Sequence, residues 1–285
     1  MKKIAHILLG REKLITPTEK VLQPLPHKDF RFASPFILLH HGGPDTIPPG
    51  SENRIHPHPH RGFAPVSYIL QGQFHHKDST GNDQILNAGD VQWMFAGKGI
   101  LHSEGPSEYI HHNGGTNEMI QLWINVPASH KWDESRYQYA AKEAMPAIFE
   151  EEGVDIRLVS GTLDNQTGPI TISYTPITSA MGTIRAGKTI RIPVVNGYWT
   201  LVYIMDGSIL IDGTTTIEKH NLIIFEKEGD AFSLTTHTDA TILFLSGEPI
   251  DEPVAAKDNF VMTTMAEVDQ AIEDYKNGLF GTLDY

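Results

Sequence analysis

Arg54-Ile55-His56-Pro57-His58-Pro59-His60-Arg61-Gly62 is the most tightly constrained stretch of this 285-residue chain. Pro57 and Pro59 each force the residue before them into an extended backbone, so His56 and His58 are extended on steric grounds. Alternate side chains of a strand share a face, which predicts His56, His58 and His60 on one side. Because the two prolines lack N–H groups, the segment can pair fully along one edge only. With a rise of about 3.3 Å per residue, neighbouring rungs stand about 6.6 Å apart. Two such imidazoles can converge on an ion about 2.1 Å from each nitrogen. The outer pair, about 13 Å apart, cannot. His58 is therefore common to both possible pairs, and spacing leaves open whether His56 or His60 completes one.

A second pair of rungs follows. Gly99-Ile100-Leu101-His102-Ser103-Glu104-Gly105-Pro106 comes after a glycine turn and reads as a strand, with His102 and Glu104 on one face. Three imidazoles and one carboxylate suit a divalent transition metal such as iron, manganese, nickel, copper or zinc. The competing reading is a flexible metal-scavenging proline–histidine tract. The position of the run between strands, with a second pair nearby, favours a built site. Histidine is also concentrated here: eleven of the fifteen lie within residues 40–130.

Working outward, Phe36–Leu39, Val66–Leu70, Val91–Phe95 and Met119–Val126 read as strands, separated by glycine, proline and asparagine turns. Residues 129–152 are more polar and read as a linker with a helical turn or two. Trp199–Met205 and Ser208–Ile211 flank Asp206-Gly207, a dipeptide favoured in tight hairpins, and Leu222–Phe225 and Thr241–Ser246 continue the strands. Thr264-Met265-Ala266-Glu267 fits a capping box. Val268, Ala271, Ile272 and Tyr275 then give one apolar helical face, predicting a helix at about 265–277. The expectation is all-β: two β domains of similar size in tandem, closed by a C-terminal α-helix.

Composition narrows the function. There is no cysteine, which removes disulfides, thiolate sites and a cysteine nucleophile. A net charge of −13 argues against direct nucleic-acid binding. The acidic excess lies wholly in residues 131–285, with 24 acidic and 11 basic side chains, against 11 of each before it. No apolar run approaches a membrane span, and Met1–Lys13 is too weakly apolar for a secretory leader, so a cytoplasmic location is expected.

His58-Pro59-His60-Arg61-Gly62-Phe63, Tyr68-Ile69-Leu70-Gln71-Gly72, Gly89-Asp90-Val91-Gln92-Trp93-Met94 and Gly97-Lys98-Gly99-Ile100-Leu101-His102-Ser103-Glu104 together resemble the signature of the pirins. The likeness continues through Gln121-Leu122-Trp123-Ile124-Asn125, and in the second half at Gly247-Glu248-Pro249-Ile250 and Phe260-Val261-Met262. Pirins are bicupins, so the resemblance implies two tandem cupin (double-stranded β-helix) barrels. Residues 1–135 are then the metal-bearing barrel, and residues 136–285 a second barrel without ligands. It implies His58, His60, His102 and Glu104 as metal ligands, with Fe2+ the first choice of metal, and leaves His56 outside. Where many pirins have a glutamate after the phenylalanine, this chain has Ala64, followed by Pro65, which changes the pocket wall. The implied activity is ring-opening dioxygenation of a quercetin-like flavonol. Glu104 is then the general base, and Phe63, Met94 and Trp93 are candidates for the substrate wall; the partners are a small aromatic substrate and O2. Arg61 holds a carboxylate or caps the strand. The alternative function is a non-catalytic iron-binding redox sensor acting through a protein partner. His220 and His237 are expected to face solvent.

Overall fold

The computed structural model describes residues 1–15, 19–51, 54–149 and 151–284. Strand identity follows side-chain alternation. In Gln73–Asp78, Phe74, His76 and Asp78 are buried while the residues between them are half-exposed. Val91–Phe95 is buried throughout, an apolar and aromatic run within its sheet.

The strands form two antiparallel barrels with the same strand order. In the first, Arg136–Ala140, Val91–Phe95, Phe63–Gln71, Gly115–Asn125 and Phe36–Ile47 are neighbours in one sheet, and Ile55–His60, Ile100–Pro106, Gln73–Asp78 and Asp83–Asn87 make the other. In the second, Ile4–Leu9, Asn221–Phe225, Trp199–Asp206, Ala240–Gly247 and Ile177–Ile184 stand in the corresponding order. They are matched by Thr189–Pro193, Ala231–Thr236, Ser208–Ile211 and Thr215–Glu218. The chain thus carries a duplicated cupin-type fold.

The compact units are each assembled from two stretches rather than divided at 135/136. Met1–Ile37 groups with Glu143–Pro249, and Leu38–Lys142 groups with the stretch from Ile250 onward. Two local expectations are corrected with it. The expected linker 129–152 (of which residue 150 lies outside the described residues) contains a strand, Arg136–Ala140, which pairs with Val91–Phe95. Asp206-Gly207 does not close a hairpin: Trp199–Asp206 and Ser208–Ile211 belong to different sheets, so the chain turns a corner there. Gly72 makes the same corner in the first barrel. Both glycines have positive φ, 83° and 77°. A Cβ would lie 2.3 Å from Thr116 O at Gly72 and 2.1 Å from Asp239 O at Gly207, so only glycine fits.

The helix is Met265–Lys276, and both arms of its capping box form: Thr264 Oγ1 accepts from Glu267 N–H and Glu267 Oε2 from Thr264 N–H. Val268 and Ala271 are buried with Phe260, Met262 and Phe280, while Tyr275 stays exposed at the rim. The second barrel is filled by Ile190, Ile192, Val202, Ile204, Phe232 and Leu234 among others. Ile190, Ile192, Phe232 and Leu234 lie on the two strands that correspond to the histidine strands of the first barrel. Apolar packing takes the place of ligands there.

Candidate metal centre

His58 and His102 are directly opposed across the pair Ile55–His60 and Ile100–Pro106, with His60 opposite Ile100. The register slips between His102, opposite His58, and Glu104, opposite Ile55. Two residues of one strand, His56 and Pro57, therefore face one of the other, Ser103, which is a bulge. This overturns the expected common face for His56, His58 and His60. His56 is exposed, His58 is half-buried and His60 is buried, which leaves His58 and His60 as the inward pair.

Each of His58, His60 and His102 offers a ring nitrogen within 4.8 Å of the others. The rings pack at centroid distances of 4.3 Å (His58–His102), 4.8 Å (His60–His102) and 4.9 Å (His58–His60). Backbone carbonyls settle two tautomers. His58 Nδ1 lies 2.9 Å from His56 O and His60 Nδ1 lies 3.3 Å from Asn259 O. A carbonyl can only accept, so each Nδ1 carries its proton and each Nε2 keeps a lone pair. His102 is buried with neither ring nitrogen hydrogen-bonded. Leaving a buried polar group unpaired costs about 1–3 kcal/mol, and a cation held by the three imidazoles satisfies one of the two His102 nitrogens. The donor set therefore fits a divalent transition metal.

Burial lowers the pKa of all three imidazoles, and neighbouring histidines add to it; His60 and His102 fall well below the ordinary histidine range. They are thus neutral and ready to ligate. In the unfolded chain they return to about 6.5, so below that pH the unfolded state binds more protons and stability rises with pH through the window. Metal-free protein is expected to be less stable at about pH 5.5 than at about pH 7.5, by roughly 1 kcal/mol in all for each of His60 and His102, most of the difference arising below about pH 6.5. Thermal melts of the apo form at the two values check this, and coincident curves would contradict it.

Glu104 is buried one rung along from His102 but stands outside the triad of nitrogens. Its Oε1 accepts from Gln121 Nε2 at 2.7 Å, and Gln121 Oε1 in turn accepts from Trp123 Nε1 at 3.3 Å. Phe63 is fully buried, its ring 5.1 Å from His60 and 4.4 Å from Trp123. Met94 is equally buried and packs with Ala96, Ile100 and Tyr137, and Trp93 is buried too. Arg61 does hold a carboxylate, that of Asp274, at 2.6 Å. Of the two outlying histidines, His237 is exposed as expected and His220 is half-buried.

Sequence reasoning passed over His76 and Asp78. His76 lies directly opposite Glu104, stacks on Tyr137 at 4.8 Å, and points Nε2 at Asp78 Oδ2, 3.1 Å away. Asp78 also accepts from Thr80 and Asn82, and these bonds together with His76 outweigh its burial and hold its carboxyl at about 2. The available signal was alternation, since His76 and Asp78 stand two apart in a strand.

Comparison with known proteins agrees with the geometry. Residues 16–124 match the family model described as Pirin, and residues 180–281 match the Pirin C-terminal cupin domain. The chain is 36% identical over 230 residues to Pirin-1 of Arabidopsis thaliana, covering 79% of this chain and 77% of that protein. It matches the crystal structure of a quercetin 2,3-dioxygenase from Acinetobacter baumannii over 100% of both chains, with a TM-score of 0.93 and 34% identity. A bacterial pirin from Escherichia coli, solved in complex with nickel(II), shares the fold at a TM-score of 0.68 and 18% identity, over 86% of this chain and 99% of that one. Among the described residues no helix is long and apolar enough to cross a membrane. Histidine ladder, duplicated barrels and both family matches lead to one assignment: this chain belongs to the pirin family.

Proposed function

We propose that the protein is a metal-dependent oxidoreductase that opens a quercetin-like flavonol ring with O2, in the cytoplasm. The observation that carries this reading is the triad of neutral imidazoles, two of them buried, one of which has no hydrogen bond on either nitrogen. His58, His60, His102 and Glu104 would hold the ion, with iron(II) the first choice. When bound, it supplies a Lewis-acid pole for a phenolic oxygen and a site at which dioxygen reacts.

The remaining work falls to the protein. Glu104 takes the proton of the flavonol hydroxyl as general base. Its carboxylate is held in place by Gln121, whose amide orientation is fixed because the Trp123 indole N–H can only donate. Phe63 and Met94 serve as the apolar wall that receives the aromatic rings and excludes water, with Trp123 beside Phe63. Ala64 and Pro65, opposite Ile124 and Trp123, shape the wall where many relatives carry a glutamate.

An oxygen electrode tests the proposal. Iron(II)-loaded protein with quercetin is expected to consume one O2 per flavonol, far faster than free iron(II). Uptake no faster than free iron across a panel of flavonols would reject the enzyme in favour of an iron-binding sensor.

A further inference from the structure

The stretch 259–280 backs both strands that carry the imidazoles. Asn259 O accepts from His60 Nδ1, and Val261 N–H donates to Arg61 O at 3.1 Å. Lys131 Nζ joins the two backbones, donating to Gly62 O at 2.7 Å and Val261 O at 3.1 Å. Beside the other strand, Ser79 Oγ accepts from Leu101 N–H at 3.0 Å and donates to Phe280 O at 2.8 Å. Leu101 directly precedes His102.

Arg61 is the pivot. Its side chain is 4% exposed, and its guanidinium carbon lies 4.9 Å from the Trp132 ring and 4.7 Å from the Phe280 ring. Nε donates to Lys98 O at 2.5 Å, and Nη1 to Asp274 Oδ2 at 2.6 Å. Asp274 is its one carboxylate partner among the described residues. Removing a partner from a buried charge is far costlier than losing a surface pair. Without Asp274 the guanidinium must seek water, and Arg61 is joined by one peptide bond to His60.

We infer that Asp274 is a positioning residue of the metal centre: Asp274 holds Arg61, Arg61 holds the end of the histidine strand, and the Asn259 carbonyl then fixes which nitrogen of His60 faces the triad. The inference rests on the reading of His58, His60 and His102 as ligands. A purely structural clamp would affect melting alone, whereas a positioning role also changes how the ion is held.

Cobalt(II) loaded into the full-length protein distinguishes the two, through its visible absorption bands and its rate of release to a chelator. Loss of a direct outer partner of a metal ligand costs about 10–100-fold in affinity; Asp274 acts one residue further out, through Arg61, so Asp274→Ala is expected to release cobalt about 10-fold faster, with altered bands. Asp274→Glu should restore most of the difference. Thr264→Ala, which removes the cap of the same helix, should lower the melting temperature and leave release unchanged. If Asp274→Ala does not fold, Arg61→Lys, which keeps the charge but not the fork, is read in the same way. Wild-type release and bands in Asp274→Ala, or equal acceleration in Thr264→Ala, would overturn the inference. Wild-type protein that takes up no more cobalt than His58→Ala would overturn the ligand reading itself, and this inference with it.

Discussion

His102→Leu is expected to lose stoichiometric metal while keeping the barrel intact. His102 sits between the other two imidazoles, 4.3 Å from one ring and 4.8 Å from the other. Loss of a mere outer partner costs about 10–100-fold in metal affinity, so loss of the ligand itself should exceed about 100-fold. The fold should survive, because neither nitrogen of His102 makes a hydrogen bond that the substitution could break. Leucine also relieves a buried unpaired polar group, an effect of about 1–3 kcal/mol in its favour. The metal-free variant should thus melt at or above metal-free wild type, and added metal should raise the melting temperature of wild type alone. Elemental analysis with paired melts reads both effects. Full metal content in His102→Leu, or a collapse of its apo stability, would remove His102 from the centre.

The second large effect is on turnover. Glu104→Gln keeps the shape of the side chain and offers Gln121 Nε2 a carbonyl acceptor in place of the carboxylate, so the 2.7 Å bond to Gln121 can persist. The three imidazoles remain to hold an ion. What is lost is a base, and general-base catalysis contributes about 10²–10⁴-fold. Oxygen uptake with a flavonol, expressed per bound metal, should fall by that order. A variant that turns over normally per metal would show that Glu104 does not move the proton.

Much of this centre was legible in the sequence because prolines and strand alternation are local rules. Pro57 and Pro59 fix the extension of the histidine run, and alternation puts His102 and Glu104 on one side. Alternation fails at His56, where the bulge depends on how the run pairs with Ile100–Pro106. Composition misled at Arg136–Ala140: its exposed and half-buried side chains look like a linker, yet backbone pairing with Val91–Phe95 makes it a strand. Asp206-Gly207 carries the residues of a hairpin turn, but the same left-handed glycine serves a corner between sheets. His76 and Asp78 passed unnoticed because their pairing matters only beside Glu104. The helix was readable from its cap and its apolar spacing. Its grouping with the first barrel was not, since that depends on Arg61 meeting a carboxylate 213 residues away.

That separation has a consequence for the newborn chain. The carbonyl that orients His60 arrives 199 residues after it, so on a ribosome the histidine strand is translated long before its support exists. Domains are generally completed in order from the N-terminus during synthesis, but here the first barrel waits for the stretch from Ile250 onward, which follows Glu143–Pro249 of the other unit. An ion captured before Asn259 is made would meet a half-made cradle, and faithful loading follows the arrival of that carbonyl.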